Sequence, residues 1–181
     1  MLILSNRYKV LVPIDASIAV VQGAVMFGQK PHIIDSRVMS TTYGVEAVCD
    51  FDPNIHPIVK KHVVEGVAVC TDCFVVLVRE GEVVKVGQRK QFSHFRPLYR
   101  GQTGGEFNFH TSTDPKAKYT TDAAVGPLIG KVLVKSPDIS KGTDRIFEVC
   151  LLFGGTEIKV TAIDRASGHT ATANLDFLCK H

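Results

Sequence analysis

RIFEVCLLFGGTEIKVTAIDRASGHTATANLDF, residues Arg145 to Phe177, carries the clearest strand signature in the chain. Ile158, Val160 and Ala162 alternate with Glu157, Lys159 and Thr161. Further on, Ala171, Ala173, Leu175 and Phe177 alternate with Thr170, Thr172, Asn174 and Asp176. Successive side chains of a strand point to opposite faces, so this period of two predicts strands with one buried face and one wet face. Gly154-Gly155 separates the first strand from the second. Asp164-Arg165-Ala166-Ser167-Gly168 separates the second from the third, with Gly168 suited to a positive φ. The pattern predicts an antiparallel meander of three strands.

Upstream, further strands are expected at Val38–Val48, His62–Val69, Phe74–Arg79, Val83–Val86, Glu106–Thr111 and Ile129–Lys135, punctuated by Asp52-Pro53-Asn54, Glu80-Gly81, Gly101 to Gly105, Asp114-Pro115 and Ser136-Pro137-Asp138. Many short strands with such punctuation predict a mainly β fold, an antiparallel β-sandwich. The N-terminal part differs. Tyr8–Val12 reads as a short strand, and Pro13 with Asp15 as the N-cap opens a helix over Ala16–Phe27, closed by Gly28 and Pro31. One strand and one helix cannot close a core, so this segment is expected to dock on something else. The change of period places a boundary after Asp35, giving 1–35 and 36–181.

At 181 residues, 45% hydrophobic and 22% charged, the chain can bury roughly 70% of its unfolded surface, which argues against disorder. The net charge of +3 is too mild to demand nucleic acid or an anionic membrane. The apolar run at the N-terminus is too short for a signal segment, and no run approaches the roughly 20 residues of a membrane span, so a soluble cytoplasmic protein is expected. Five cysteines, Cys49, Cys70, Cys73, Cys150 and Cys179, fit reduced thiols better than a disulfide framework.

Cys70-Thr71-Asp72-Cys73 has the spacing of half a zinc site or a redox pair. No second such pair or spaced histidine pair accompanies it, so structural thiols at a strand junction are expected, and no metal site is assigned. Asp50 and Asp52 lack the further oxygens of a calcium loop and fit a polar turn before Pro53. The glycines from Gly101 to Gly105 precede no Lys-Ser/Thr and no helix, so a turn is expected rather than a phosphate cradle. QRKQFSHFRPLYR, residues 88–100, interleaves Arg89, Lys90, His94, Arg96 and Arg100 with Phe92, Phe95 and Tyr99. It can stack and neutralise a single-stranded nucleic acid, or form a strand edge and loop with its aromatics turned inward. No nucleophile–base set stands out.

The order strand, helix, sandwich resembles the C-terminal part of the seventy-kilodalton heat-shock chaperone superfamily, and most closely its divergent subfamily 12. DASIAVVQGAVMFGQKPHII, Asp15 to Ile34, resembles the last helix of the actin-like ATPase domain. SRVMSTTYGVEAV, Ser36 to Val48, is similar to the interdomain linker and first sandwich strand, with Tyr43-Gly44-Val45-Glu46 where the chaperones carry Leu-Gly-Ile-Glu. FGGTEIKVTAIDRASGHTATANLDF resembles the closing strands, TEIKVTAID and NLDFL being typical of subfamily 12. The linker's leucines and aspartates are reduced to Ile33-Ile34-Asp35, and no helical lid follows.

The resemblance implies an ATPase remnant plus linker at 1–35 and a substrate-binding-like β-sandwich at 36–181, part of a stress-response, ATP-binding protein. The phosphate- and magnesium-holding residues would lie before Met1, so ATP and Mg are implied only for the full-length relative, and this chain is expected not to be an enzyme. Asp15 would stand at the nucleotide rim. Extended apolar peptides or client proteins are the implied partners, with docking to the absent ATPase lobes, no nucleic acid and no membrane. The peptide site would be lined by Gly44, Ala47, Val48, Phe92, Phe107 and Phe109, with the cleft-facing phenylalanine only partly buried. The alternative is a protein-interaction or nucleic-acid module using residues 88–100.

Overall fold

Alternating stretches leave backbone donors and acceptors that only a neighbouring strand can satisfy. In the computed structural model, which describes residues 15–30 and 34–176, they do so in antiparallel sheets, and the fold is mainly β. The chain divides into two compact units, Met1–Asp35 and Ser36–His181. In the first, α1 spans Ala16–Gln29. Asp15 holds the N-cap position, but its side chain makes no capping bond; its backbone oxygen accepts from the Ile18 and Ala19 N–H groups at 2.9 and 3.1 Å. Val20, Val21 and Val25 are more than half exposed. The expected strand at Tyr8–Val12 lies outside the described residues.

The second unit contains β1 (Ser36–Val38), β2 (Thr42–Asp50), β3 (Lys61–Val64), β4 (Val67–Val78), β5 (Val83–Lys85), β6 (Arg89–Phe95), β7 (Gly104–Ser112), β8 (Val125–Lys135), β9 (Phe147–Phe153), β10 (Glu157–Asp164) and β11 (Thr170–Asp176). One sheet runs in the order β3-β4-β2-β7-β8, another β11-β10-β9-β6, and β1 pairs with β5. The two larger sheets share one core. Tyr43, Val45, Leu77, Phe107, Phe109, Val132 and Val134 come from one, and Phe147, Val149, Leu151, Phe153, Ile158, Val160, Ala162 and Leu175 from the other.

The closing meander forms as its pattern predicts. β9 and β10 pair from Phe147↔Asp164 to Phe153↔Ile158, and β10 and β11 from Glu157↔Asp176 to Ile163↔Thr170. Ile158, Val160 and Ala162 are fully buried, Thr170, Thr172 and Asn174 are exposed, and Gly168 sits at φ 74°. Phe177 lies outside the described residues. Arg145, the first residue of the quoted stretch, precedes β9 yet is 1% exposed. Its guanidinium donates to Ser136 Oγ and Gln102 O at 2.7 Å and Gly142 O at 2.8 Å. A buried cation is tolerable only when its donors are satisfied, and here it ties the β6–β7 connection to the β8–β9 connection.

Elsewhere the expected strands need correction. Val38–Val48 is not continuous: Met39 still pairs beside β5, donating its N–H to Glu82 O at 2.9 Å and accepting from Gly81 N–H at 2.8 Å, and the chain then bends at Ser40 and Thr41 before β2 begins. His62–Val69 splits at Glu65-Gly66, whose φ values of 49° and 82° match the two-residue turn that joins twisted hairpin strands. Phe74–Arg79 is the second half of the longer β4. Residues 89–95 form the full strand β6, and β8 begins at Val125, its Pro127 tolerated because β8 is an edge strand.

Candidate functional site

A flat strand sends residues i and i+3 to opposite faces. β4 does not stay flat. Its register to β2 runs Ala47↔Cys73 and then Cys49↔Cys70, so two steps on β2 match three on β4. The extra residue is accommodated by Asp72 at φ 57°, a left-handed conformation that a short polar side chain tolerates better than most. This bulge brings Cys70 and Cys73 into one small cluster with Tyr119, against which Cys49 and Phe51 pack.

Beside the bulge, the end of β2, the start of β4, the segment His94–Tyr99 and the start of β7 line a groove of about 1040 Å³. Its apolar members include Val48, Val67 and Tyr99, exposed by 43, 56 and 45%. Asn108 also lines it: Nδ2 donates to Glu46 Oε2 at 3.0 Å, while the buried Oδ1 has no partner among the described residues. A buried acceptor without a donor is uncommon. The groove therefore offers apolar contact, with Asn108 Oδ1 sealed beneath its surface.

The cysteine cluster has its own electrostatics. Burial pushes the Cys70 thiol up to about 11, with Cys73 adding and Lys60 opposing, and burial with Cys49 pushes Cys73 up to about 11. The Tyr119 hydroxyl lies 3.0 Å from His56 Nδ1. Lys60 Nζ stands 4.8 Å from the Tyr119 ring centroid and 3.3 Å from Asp72 Oδ2. The donor atoms of His56, Cys70 and Cys73 lie within 4.8 Å of one another.

Of the residues expected at a peptide site, Ala47, Val48 and Phe107 line the groove, whereas Gly44, Phe92 and Phe109 do not. Phe107 and Phe109 are 4 and 1% exposed, core residues of β7 rather than half-buried pocket residues. Phe107 stacks edge-on with Phe95 at 5.3 Å and Phe147 at 6.1 Å between ring centroids. Gly44 serves packing: a Cβ there would lie 2.5 Å from the Phe74 ring and 2.8 Å from Val75 O. In residues 88–100, Phe92 and Phe95 pack against the core and Lys90 pairs with Glu82, leaving Tyr99 as the exposed aromatic. Asp15 is an exposed carboxylate at the start of α1. Asp52 closes a polar turn, accepting from Asn54 N–H at 2.8 Å.

Sequence reasoning missed Val67, Leu98 and Asn108 in the groove and His56, Cys49 and Tyr119 around the cysteine pair. The order Cys49, His56, Cys70, Cys73 was visible, but the cross-strand register that gathers the cysteines and the turn that delivers His56 were not.

No protein-family model matches the chain. Among curated proteins it is similar to heat shock 70 kDa protein 12B of Homo sapiens, 33% identical over 177 residues, which cover 94% of this chain and 26% of that protein. It is also similar to heat shock 70 kDa protein 12A of Homo sapiens and of Mus musculus, 28 and 27% identical over 175 residues, covering 96% of this chain and 26% of each. The chain thus spans about a quarter of the length of these relatives.

Proposed function

We propose that this chain, a member of the heat shock 70 kDa protein 12 family, is a chaperone-type peptide-binding β-domain that holds an extended apolar segment of a client protein. The observation that carries the reading is the groove of about 1040 Å³, where Val48, Val67 and Tyr99 stay half exposed beside a packed core. Apolar side chains gathered at one concave site favour an apolar ligand, since each loses water when covered. Unit Ser36–His181 then corresponds to a substrate-binding β-sandwich, and unit Met1–Asp35 to the end of an actin-like ATPase domain. On this reading ATP and Mg would be held by other parts of a full-length relative.

A fluorescently labelled, extended apolar peptide should bind the purified chain saturably, with an affinity little changed by added salt. Val67→Asp should abolish that binding without lowering the melting temperature, because Val67 is 56% exposed and exposed substitutions rarely destabilise. Binding that falls steeply with salt points instead to a phosphate-bearing partner of residues 88–100.

A further inference from the structure

We propose that Cys49, His56, Cys70 and Cys73 form a four-ligand zinc site at the β2–β4 bulge. The donors of His56, Cys70 and Cys73 already lie within 4.8 Å of one another. With Zn–S of about 2.3 Å and Zn–N of about 2.0 Å, tetrahedral donors stand roughly 3.5–3.8 Å apart, so closing these three on one ion asks for a shift of about an ångström, while Cys49 stands outside the group of three and has to swing in. Cys49 is the cross-strand partner of Cys70, and its thiol reaches Cys73. Directly opposed residues of an antiparallel pair carry Cβ atoms about 4.5–5.5 Å apart, close enough to serve one ion. Without the Asp72 bulge, Cys70 and Cys73 would face opposite sides of the sheet.

The surroundings suit a metal. The Tyr119 hydroxyl on His56 Nδ1 fixes the imidazole's orientation, the task an outer-shell partner performs for a ligating histidine. Binding Zn²⁺ releases the protons of three thiols and leaves one net negative charge. The ammonium of Lys60, held at Asp72 and over the Tyr119 ring, is placed to offset it. Three sulfurs and one imidazole select zinc over magnesium or calcium, which take oxygen ligands. Four protein ligands close the coordination shell, so the site is structural rather than catalytic. Because Cys49, Thr71 and Asp72 also line the groove, the ion would brace its wall.

The test uses the full 181-residue chain, purified reduced and without chelator. Elemental analysis should find one zinc per chain, and Co²⁺ exchange should give the intense visible bands of tetrahedral cobalt with a thiolate charge-transfer band. Cys70→Ser and Cys73→Ser should lose that signature. Cys49→Ser should retain cobalt with a weaker thiolate band, and Cys150→Ser, on β9, should behave as the parent. Tyr119→Phe should weaken zinc binding about 10–100-fold. If the Cys70 or Cys73 variants fail to fold, the parent's cobalt spectrum and Cys49→Ser decide. A folded, reduced parent that takes up no zinc in equilibrium dialysis overturns the proposal. So does a cobalt spectrum without the thiolate band, or one that Cys49→Ser leaves unchanged.

Discussion

The β9–β10–β11 meander and the β2–β4 ribbon are both antiparallel and both feed the same core, yet they are built in opposite ways. The meander keeps one register from end to end, its inner face Ile158, Val160, Ala162 and Leu175, its outer face polar along β11 and carrying half-buried Leu152 and Ile163 on β9 and β10. The ribbon slips twice, between Tyr43 and Gly44 and between Ala47 and Cys49, and turns Asp72 left-handed. Regular pairing maximises burial but leaves nothing concave. Each slip rotates side chains off the alternating pattern, and both the groove and the cysteine cluster lie where that happens.

The comparison is sharpest at Val160. Val160→Asp buries an unpaired charge between the sheets, at a cost of several kcal/mol against a total stability of about 5–15 kcal/mol. The variant should be unfolded by near-ultraviolet circular dichroism, whereas Thr172→Asp on the outer face should shift stability by no more than about 0.5 kcal/mol. A folded Val160→Asp protein would show that the meander is not the rigid half.

In the ribbon, Gly44→Ala should cost about 1–3 kcal/mol in a denaturant titration, because the Cβ meets Val75 O as well as the Phe74 ring, and backbone cannot rotate away. A silent Gly44→Ala would mean that the ribbon repacks freely around its slips.

A smaller effect belongs to the turn closing β10. Burial alone pushes the Asp164 carboxyl up, but hydrogen bonds from Ser167, the Ala166 N–H and Ser136 outweigh it and hold Asp164 below the usual carboxylate range. A group whose folded pKa is depressed stabilises above its unfolded value and loses that contribution as the pH falls through the folded one. The melting temperature should therefore fall below about pH 4, and Asp164→Asn should flatten that acid limb while lowering stability at neutral pH. Equal acid limbs in the two proteins would remove Asp164 as a cause.

What the sequence made legible follows the same division. Alternation at 157–163 and 170–175 specified strand, face and partner together, because each inner residue there opposes another inner residue. In VVEGVAVCTDCFVV the apolar run hides both the Glu65-Gly66 turn and the bulge at Asp72, since neither Glu nor Asp announces a positive φ as Asn-Gly would. Phe107 and Phe109 read as pocket residues by resemblance; their shared parity on β7 puts both into the core, from where Phe107 also lines the groove. His56 lies in a turn that no periodicity connects to Cys70; only folding brings its ring to Tyr119 and the thiols.

Amide hydrogen exchange with and without an extended apolar peptide tests the central claim most directly, because it reads both regions in one experiment. Peptide should slow exchange at residues 46–50, 67–72 and 104–108, along the groove, and leave 157–164 and 170–175 unchanged. Protection confined to β11, as when a peptide adds to an open sheet edge, would contradict the assignment of the groove as the binding site, as would no protection anywhere at saturating peptide.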